Sequence, residues 1–366
     1  MKKITALLLT LCMVVSLCAC GGSKEEAKAD GMTVAMITDY GDITDQSFNQ
    51  TTYEACKEYC EANGVNFKYY KPASDSDDDR VAMIEMAIDE GYNVIITPGY
   101  AFANALKATA GEYKDVTFIA LDVGEGDFGD YQLPANLYSA VYQEELCGYM
   151  AGYAAVKLGY EKLGFLGGMA VPAVVRYGFG FVQGADAAAK ELGKNIDMNY
   201  AYGNQFFGDA DITAAMDTWY EAGTQVVFAC GGGIYTSAAE AAAKVGGKVI
   251  GVDVDQSFNI DGAYGAGMTV TSAMKGLAPT VKTMLAKVKA GQFQGGKIET
   301  LGLVSEKPEE NYVQIAGSTQ FGDGFTAEDY SALVAAMFKG EITVSNATDV
   351  MPTTTNTAVN DLGNLK

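Results

Sequence analysis

The chain changes its pattern of apolar and polar positions twice between residues 34 and 55. Residues 34–37 are a short apolar run, too brief for a helix, and read as a buried strand. Residues 38–45 form a polar loop with Asp39, Asp42 and Asp45 around Gly41, and Ser47 is placed to cap a helix through Phe48, Tyr53 and Ala55. In open α/β sheets ligands collect outside the carboxyl ends of the strands, so this loop is the first place to look for one.

The same plan recurs. Strands are expected at 65–70, 93–97 and 116–121, the last running into Asp122, with helices at 77–90 and 101–113. The acidic run at 75–79 lacks the glycine and closing glutamate of a calcium loop and reads as a helix start that complements the helix dipole. After a strand at 136–142 and a helix at 144–158 the alternation restarts: strands at 162–167, 196–202, 225–230 and 248–252, helices at 173–192, 211–221 and 235–244. Alternating strands and helices require a mostly parallel sheet with helices on both faces. The pattern therefore predicts an α/β chain of two lobes, the first over 32–137 and the second over 138–272. Beyond residue 273 come a helix through Leu285 and Val288, strand-like runs at 300–304 and 312–315, a helix at 327–338 and a polar tail. These are too few for a third domain and are expected to complete both sheets by crossing between lobes, and adjacent crossings make a hinge.

The N-terminus departs from this pattern. Lys2 and Lys3 precede an apolar run over 4–15, too short to span a bilayer and fitting a secretory signal. It ends on Leu17-Cys18-Ala19-Cys20, which looks like a lipobox: residues 1–19 are expected to be removed, Cys20 to carry lipid, and 20–31 to serve as a tether. The body is then expected at the extracytoplasmic face of a bacterial cell membrane. Loss of residues 1–19 leaves 23 basic against 46 acidic side chains, a balance that repels phosphate backbones, so no nucleic-acid partner is expected. The chain has no histidine, which removes Ser-His-Asp and Cys-His chemistry. Cys56, Cys60, Cys147 and Cys230 are too scattered for a disulfide framework and read as buried thiols, and neither metal nor cofactor is expected.

Candidate chemistry lies where strands end. Singly, an aspartate after a strand caps a helix or forms a turn; Asp39, Asp122 and Asp253, from two facing lobes, together suggest acceptors for hydroxyl or amino donors, with Lys275 balancing Asp253. Phe48 heads the first helix. Phe206 and Phe207 sit in a polar, glycine-flanked loop where a phenylalanine exposes apolar area unless something covers it. Tyr177 is assigned to the core. Gly231-Gly232-Gly233 follows a strand and precedes a helix without the lysine of a P-loop, and reads as a tight turn whose amides can meet a ligand. Arg80 and Arg176 are the only arginines, which points to an uncharged ligand.

These segments together resemble the basic membrane protein family, the purine-nucleoside-receptor-like lipoproteins of ABC importers. The resemblance rests on TDYGDITDQSFNQTTYEA at 38–55, FIALD at 118–122, LCGYMAGYAA at 146–155, GFLGGMAVPAVVRYGFGFVQGA at 164–185, VIGVDVDQ at 249–256, TSAMK at 271–275 and GQFQGG at 291–296. It implies a type I periplasmic-binding-protein fold closing on a nucleoside, with no catalysis. Asp39, Phe48, Asn49 and Asp122 would face the base, Phe206 or Phe207 would stack on its other side near Gly232, and Asp253 with Lys275 would hold the ribose hydroxyls. The implied partners are a nucleoside, the permease subunits of an ABC importer, and the membrane through the lipid, with the chain acting as a monomer. A sugar or autoinducer receptor of the same fold and a ligand sensor are alternatives, and a nucleoside hydrolase is a third that lacks an activated nucleophile.

Overall fold

A strand covered by helices on both faces must be apolar at successive positions. β1 (Thr33–Ile37) is buried throughout: Val34 and Met36 join Ala55, Cys56 and Cys60 on one side, Ala35 and Ile37 join Ile84, Leu106 and Phe118 on the other. The computed structural model describes residues 31–39 and 41–366. The expected signal segment and Cys20 lie outside the described residues.

From β1 the chain runs through α1 (Phe48–Asn63), β2 (Asn66–Tyr70), α2 (Asp77–Asp89), β3 (Val94–Pro98), α3 (Ala103–Thr109), β4 (Thr117–Leu121), the single turn α4 (Glu125–Phe128) and β5 (Leu137–Tyr142). It continues with α5 (Glu144–Lys157), β6 (Lys162–Gly167), α6 (Pro172–Leu192), β7 (Ile196–Tyr202), α7 (Ala210–Glu221), β8 (Val226–Cys230), α8 (Tyr235–Val245), β9 (Lys248–Asp253) and α9 (Ser257–Tyr264). The last segment holds β10 (Thr269–Lys275), α10 (Leu277–Lys289), β11 (Lys297–Leu301), β12 (Val313–Ile315), α11 (Ala327–Phe338) and β13 (Thr357–Asn364).

The strands form two sheets, ordered β11-β5-β4-β3-β1-β2 and β12-β10-β9-β8-β6-β7-β13. The first is parallel throughout, and in the second only β12 is antiparallel. Five strands of each sheet follow one order, so β4 matches β9 and β5 matches β10. β5 belongs to the first sheet, which therefore runs to Tyr142, past residue 137, before the chain first crosses.

The three crossings lie side by side. Gln143 donates its backbone N–H to Leu301 (3.0 Å), Tyr312 to Gly302 (3.0 Å), and Gly276 to Tyr312 (2.7 Å), which makes a hinge of hydrogen-bonded segments. Next to it α5 and α6 cross at backbone distance. A Cβ on Gly148 would lie 2.2 Å from the Tyr177 carbonyl oxygen, and one on Gly180 would lie 2.1 Å from that of Glu145. This close approach, which the glycines of the two helices permit, sets the start of α5 against Arg176 and Tyr177.

The late chain differs from its sequence pattern at three places. The strand expected at 300–304 is β11, three residues earlier, because Lys297–Leu301 pairs with Tyr138–Tyr142 and the chain then leaves the sheet for the hinge. The polar tail ends in β13, which pairs with β7; its polar residues suit an exposed edge and carry no apolar alternation. The short helix α9 follows Asp253 where no element was expected.

Candidate functional site

A cavity of about 690 Å³ lies between the lobes, at the carboxyl ends of both sheets. Asp39, Phe48, Asn49 and Asp122 line it from the first lobe, and Phe206, Phe207, Gly232, Asp253 and Lys275 line it from the second.

Its first-lobe wall is built by the loop before α1. Ser47 occupies the position that precedes the helix, but its side chain makes no capping bond. Asp45 caps instead, accepting from the backbone N–H groups of Ser47 (2.9 Å), Asn49 (2.9 Å) and Gln50 (3.0 Å). The cap expected of Ser47 is thus made by Asp45, whose two oxygens serve these three backbone donors and Asn49 Nδ2 at 3.2 Å. Ser47 is thereby released, and its hydroxyl donates to Asp253 Oδ2 of the other lobe at 2.6 Å. Asn49 is buried, and its Oδ1 has no hydrogen-bond partner.

At the centre, Lys275 gathers the charges. Its ammonium bonds Asp122 and lies 3.5 Å from Glu144 Oε1 and 3.8 Å from Asp253 Oδ1. It also sits 4.7 Å from the centre of the Phe48 ring, 5.5 Å from Tyr142 and 5.8 Å from Tyr177. Asp253 was the expected partner; Asp122 is the closer one, because β4 and β9 bring matching aspartates to the cleft from opposite lobes. Both stand in the left-handed region, with φ of 60° and 66°, a conformation aspartate tolerates better than most residues. Burial works against the charge of Lys275, yet Asp122, Asp253 and Glu144 outweigh it and raise its pKa. Burial pushes Asp122 up to about 6, against the pull of Lys275. Asp122 Oδ1 is buried and unpartnered.

The second-lobe wall carries the aromatic loop. The ring of Phe206 rests on Gly168 and Gly231, where an added Cβ would come within 2.4 and 2.8 Å of its Cδ1. Gly231 and Gly232 have φ of 147° and 53°, and Gly233 donates to the Phe206 carbonyl at 2.8 Å, so the glycine turn is the seat of this phenylalanine. Phe207 is 58% exposed at the rim. Tyr177, assigned to the core, is buried there and also lines the cavity, its hydroxyl 3.4 Å from Asp253 Oδ1.

Sequence reasoning missed Glu144 and Gln256. Glu144 is fully buried and accepts from Arg176 Nε at 2.7 Å, so the arginine that lines the cleft is already neutralised. Its signal was an acidic first turn directly after a strand. Gln256, also fully buried, links the two lobes through Gln46. Among the described residues no group of three or more cysteine or acidic side chains is arranged to hold a metal ion, and no helix is long and apolar enough to cross a membrane.

Comparison with known proteins agrees with this architecture. The family model described as "Bmp: ABC transporter substrate-binding protein PnrA-like" matches residues 32–319. The chain is 30% identical over 304 residues to the "ABC transporter nucleoside-binding protein BmpA" of Lactococcus lactis subsp. cremoris, covering 77% of this chain and 82% of that one. It is 28% identical over 326 residues to the "CD4+ T-cell-stimulating antigen" of Listeria monocytogenes, covering 82% and 88%. A solute-binding protein of an ABC transporter system from Aeropyrum pernix, 20% identical, superposes with a TM-score of 0.67 over 85% of this chain and 87% of its own, a likeness of fold. The chain belongs to the Bmp family of PnrA-like substrate-binding proteins of ABC transporters.

Proposed function

We propose that the cleft binds a nucleoside, with a purine nucleoside as the preferred class, and that the chain, a monomer anchored through lipid on Cys20 at the extracytoplasmic face of the membrane, delivers it to a permease. The observation that carries this reading is the pairing of aromatic rings with unsatisfied acceptors. Phe48 and Phe206 come from facing lobes, while Asn49 Oδ1 and Asp122 Oδ1 are buried without a donor. A flat, uncharged guest bearing N–H or O–H groups satisfies both demands: each ring adds roughly 0.5–1.5 kcal/mol beyond burial, and leaving the acceptors unpaired costs about 1–3 kcal/mol each. Phe206 is the stacking ring, since its glycine seat holds it in place, and Phe207 covers the entrance. Asp39, Asn49 and Asp122 meet the base, and Asp253 and Lys275 meet the ribose, with Gly232 shaping that side. The name of the Lactococcus relative points to the same ligand class.

Calorimetric titration with adenosine, guanosine, inosine, cytidine, ribose and free bases tests the reading. Saturable binding of nucleosides, tighter than ribose or base alone and without release of free base, is the expected result. Tighter binding of ribose, or conversion of inosine to hypoxanthine, overturns it.

A further inference from the structure

The two motifs most distinctive in the sequence, DQSFNQ at 45–50 and GVDVDQ at 251–256, touch one another across the cleft. Ser47 Oγ donates to Asp253 Oδ2 at 2.6 Å, and Gln256 Nε2 donates to the Gln46 carbonyl at 3.0 Å. Ser47 and Gln256 are both fully buried. We infer that Gln46, Ser47 and Gln256 form an interlobe clasp that holds the lobes shut and sets ligand affinity and residence time without touching the ligand.

Each half of the clasp is prepared by its own lobe. Gln256 Oε1 accepts from the Val252 backbone N–H at 2.9 Å, which fixes the amide so that its NH₂ faces the other lobe. Its own N–H donates to Ser272 Oγ at 3.1 Å. A Cβ at Gly251 would come 2.8 Å from Gln256 Oε1, so the glycine of GVDVDQ makes room for that side chain. On the first lobe, Asp45 carries the capping of α1, which leaves the Ser47 hydroxyl free for Asp253. Gln46 is held at a left-handed φ of 57° with its N–H on Gln50 Oε1 (3.1 Å), an uncommon conformation for a residue with a side chain. Opening the lobes returns all these groups to water. Closing them replaces water by fixed partners, so the clasp raises the closed population, and apparent affinity scales with that population. The loss on cutting the clasp is therefore shared by every ligand.

The test uses the full-length lipoprotein in detergent, with spin labels at Asp78→Cys and Asp211→Cys. Both positions are exposed, in the first turns of α2 and α7, which follow β2 of the first sheet and β7 of the second, while the native thiols Cys56, Cys60, Cys147 and Cys230 are buried. Interlobe distances are read with no ligand, so this arm does not depend on the nucleoside reading. Ser47→Ala and Gln256→Met are each expected to shift the population toward longer distances, and Ser47→Thr, which keeps the hydroxyl, to restore it. Adenosine, guanosine and inosine titrated into the same variants are expected to lose affinity by a common factor of about ten, appearing as faster dissociation. Unchanged distance distributions in both variants at an unchanged unfolding midpoint overturn the clasp. So does a loss that differs strongly from one nucleoside to another. Failure of every nucleoside to bind overturns the ligand reading alone, since the distances still decide the clasp.

Discussion

Asp122 shows how much of this site is electrostatic. Burial disfavours its charge, Glu144 and Asp253 add to the effect, and Lys275 opposes it, with the result that the carboxyl titrates at about 6. An aspartate in the unfolded chain ionises near 3.9. The folded chain thus binds this proton more tightly, and the group's contribution to stability is fully present below about pH 4 and lost as pH rises through 6. Asp209 behaves in the opposite sense. Its bond from the Ile212 amide, helped by Lys366, holds it down to about 2, so its stabilisation is present above about pH 4 and lost as pH falls toward 2. Asp122→Asn is expected to remove the decline between pH 4 and 6, on the order of 2–3 kcal/mol. Urea unfolding at half-unit pH intervals measures it, and an unchanged slope contradicts the assignment. Asp39, Asp122, Asp253 and Lys275 were legible one by one, because each ends a strand; that Lys275 answers Asp122 ahead of Asp253 was not, since it depends on how the lobes face each other.

At the scale of elements, the crossing of α5 and α6 decides where Arg176, Tyr177 and Glu144 stand. Alanine is the better helix former by about 1 kcal/mol, so propensity alone favours replacing any helical glycine. At Gly180 the new Cβ would meet the Glu145 backbone oxygen at 2.1 Å, and backbone cannot step aside. Gly180→Ala is expected to destabilise by about 1–3 kcal/mol, the cost of overpacking. Gly262→Ala in α9, where nothing lies within 4 Å, is expected to stabilise by up to about 1 kcal/mol. Chemical denaturation of the two variants compares them directly, and equal effects would contradict the close crossing. Strands buried on both faces and amphipathic helices were readable because their periodicity is local. Of the elements that escaped or shifted, β13 and β11 take their identity from partner strands far along the chain, β7 and β5, whereas α9 is held locally, its Asp261 accepting from the Gly267 and Thr269 amides.

At the scale of the molecule, Lys275 ties the two lobes together by charge. It extends from β10 of the second sheet to Asp122 and the Phe48 ring of the first. Lys275→Met keeps the bulk and removes the charge, leaving Asp122, Glu144 and Asp253 buried together without their common cation. Nucleosides are expected to lose at least tenfold in affinity, with free bases losing much less; calorimetry on both classes checks it, and parallel losses would move Lys275 away from the sugar. The chain's order of residues by itself determined that there are two βα lobes, where their strands end, and which acids, rings and glycines stand at those ends. All of that follows from apolar spacing within a few residues. The tertiary structure alone decided which groups meet: Ser47 with Asp253, Gln256 with Gln46, Glu144 with Arg176, β13 with β7. The partners in each pair are separated by 32 to 210 positions, and only the folding of two sheets about a shared hinge brings them within bonding distance.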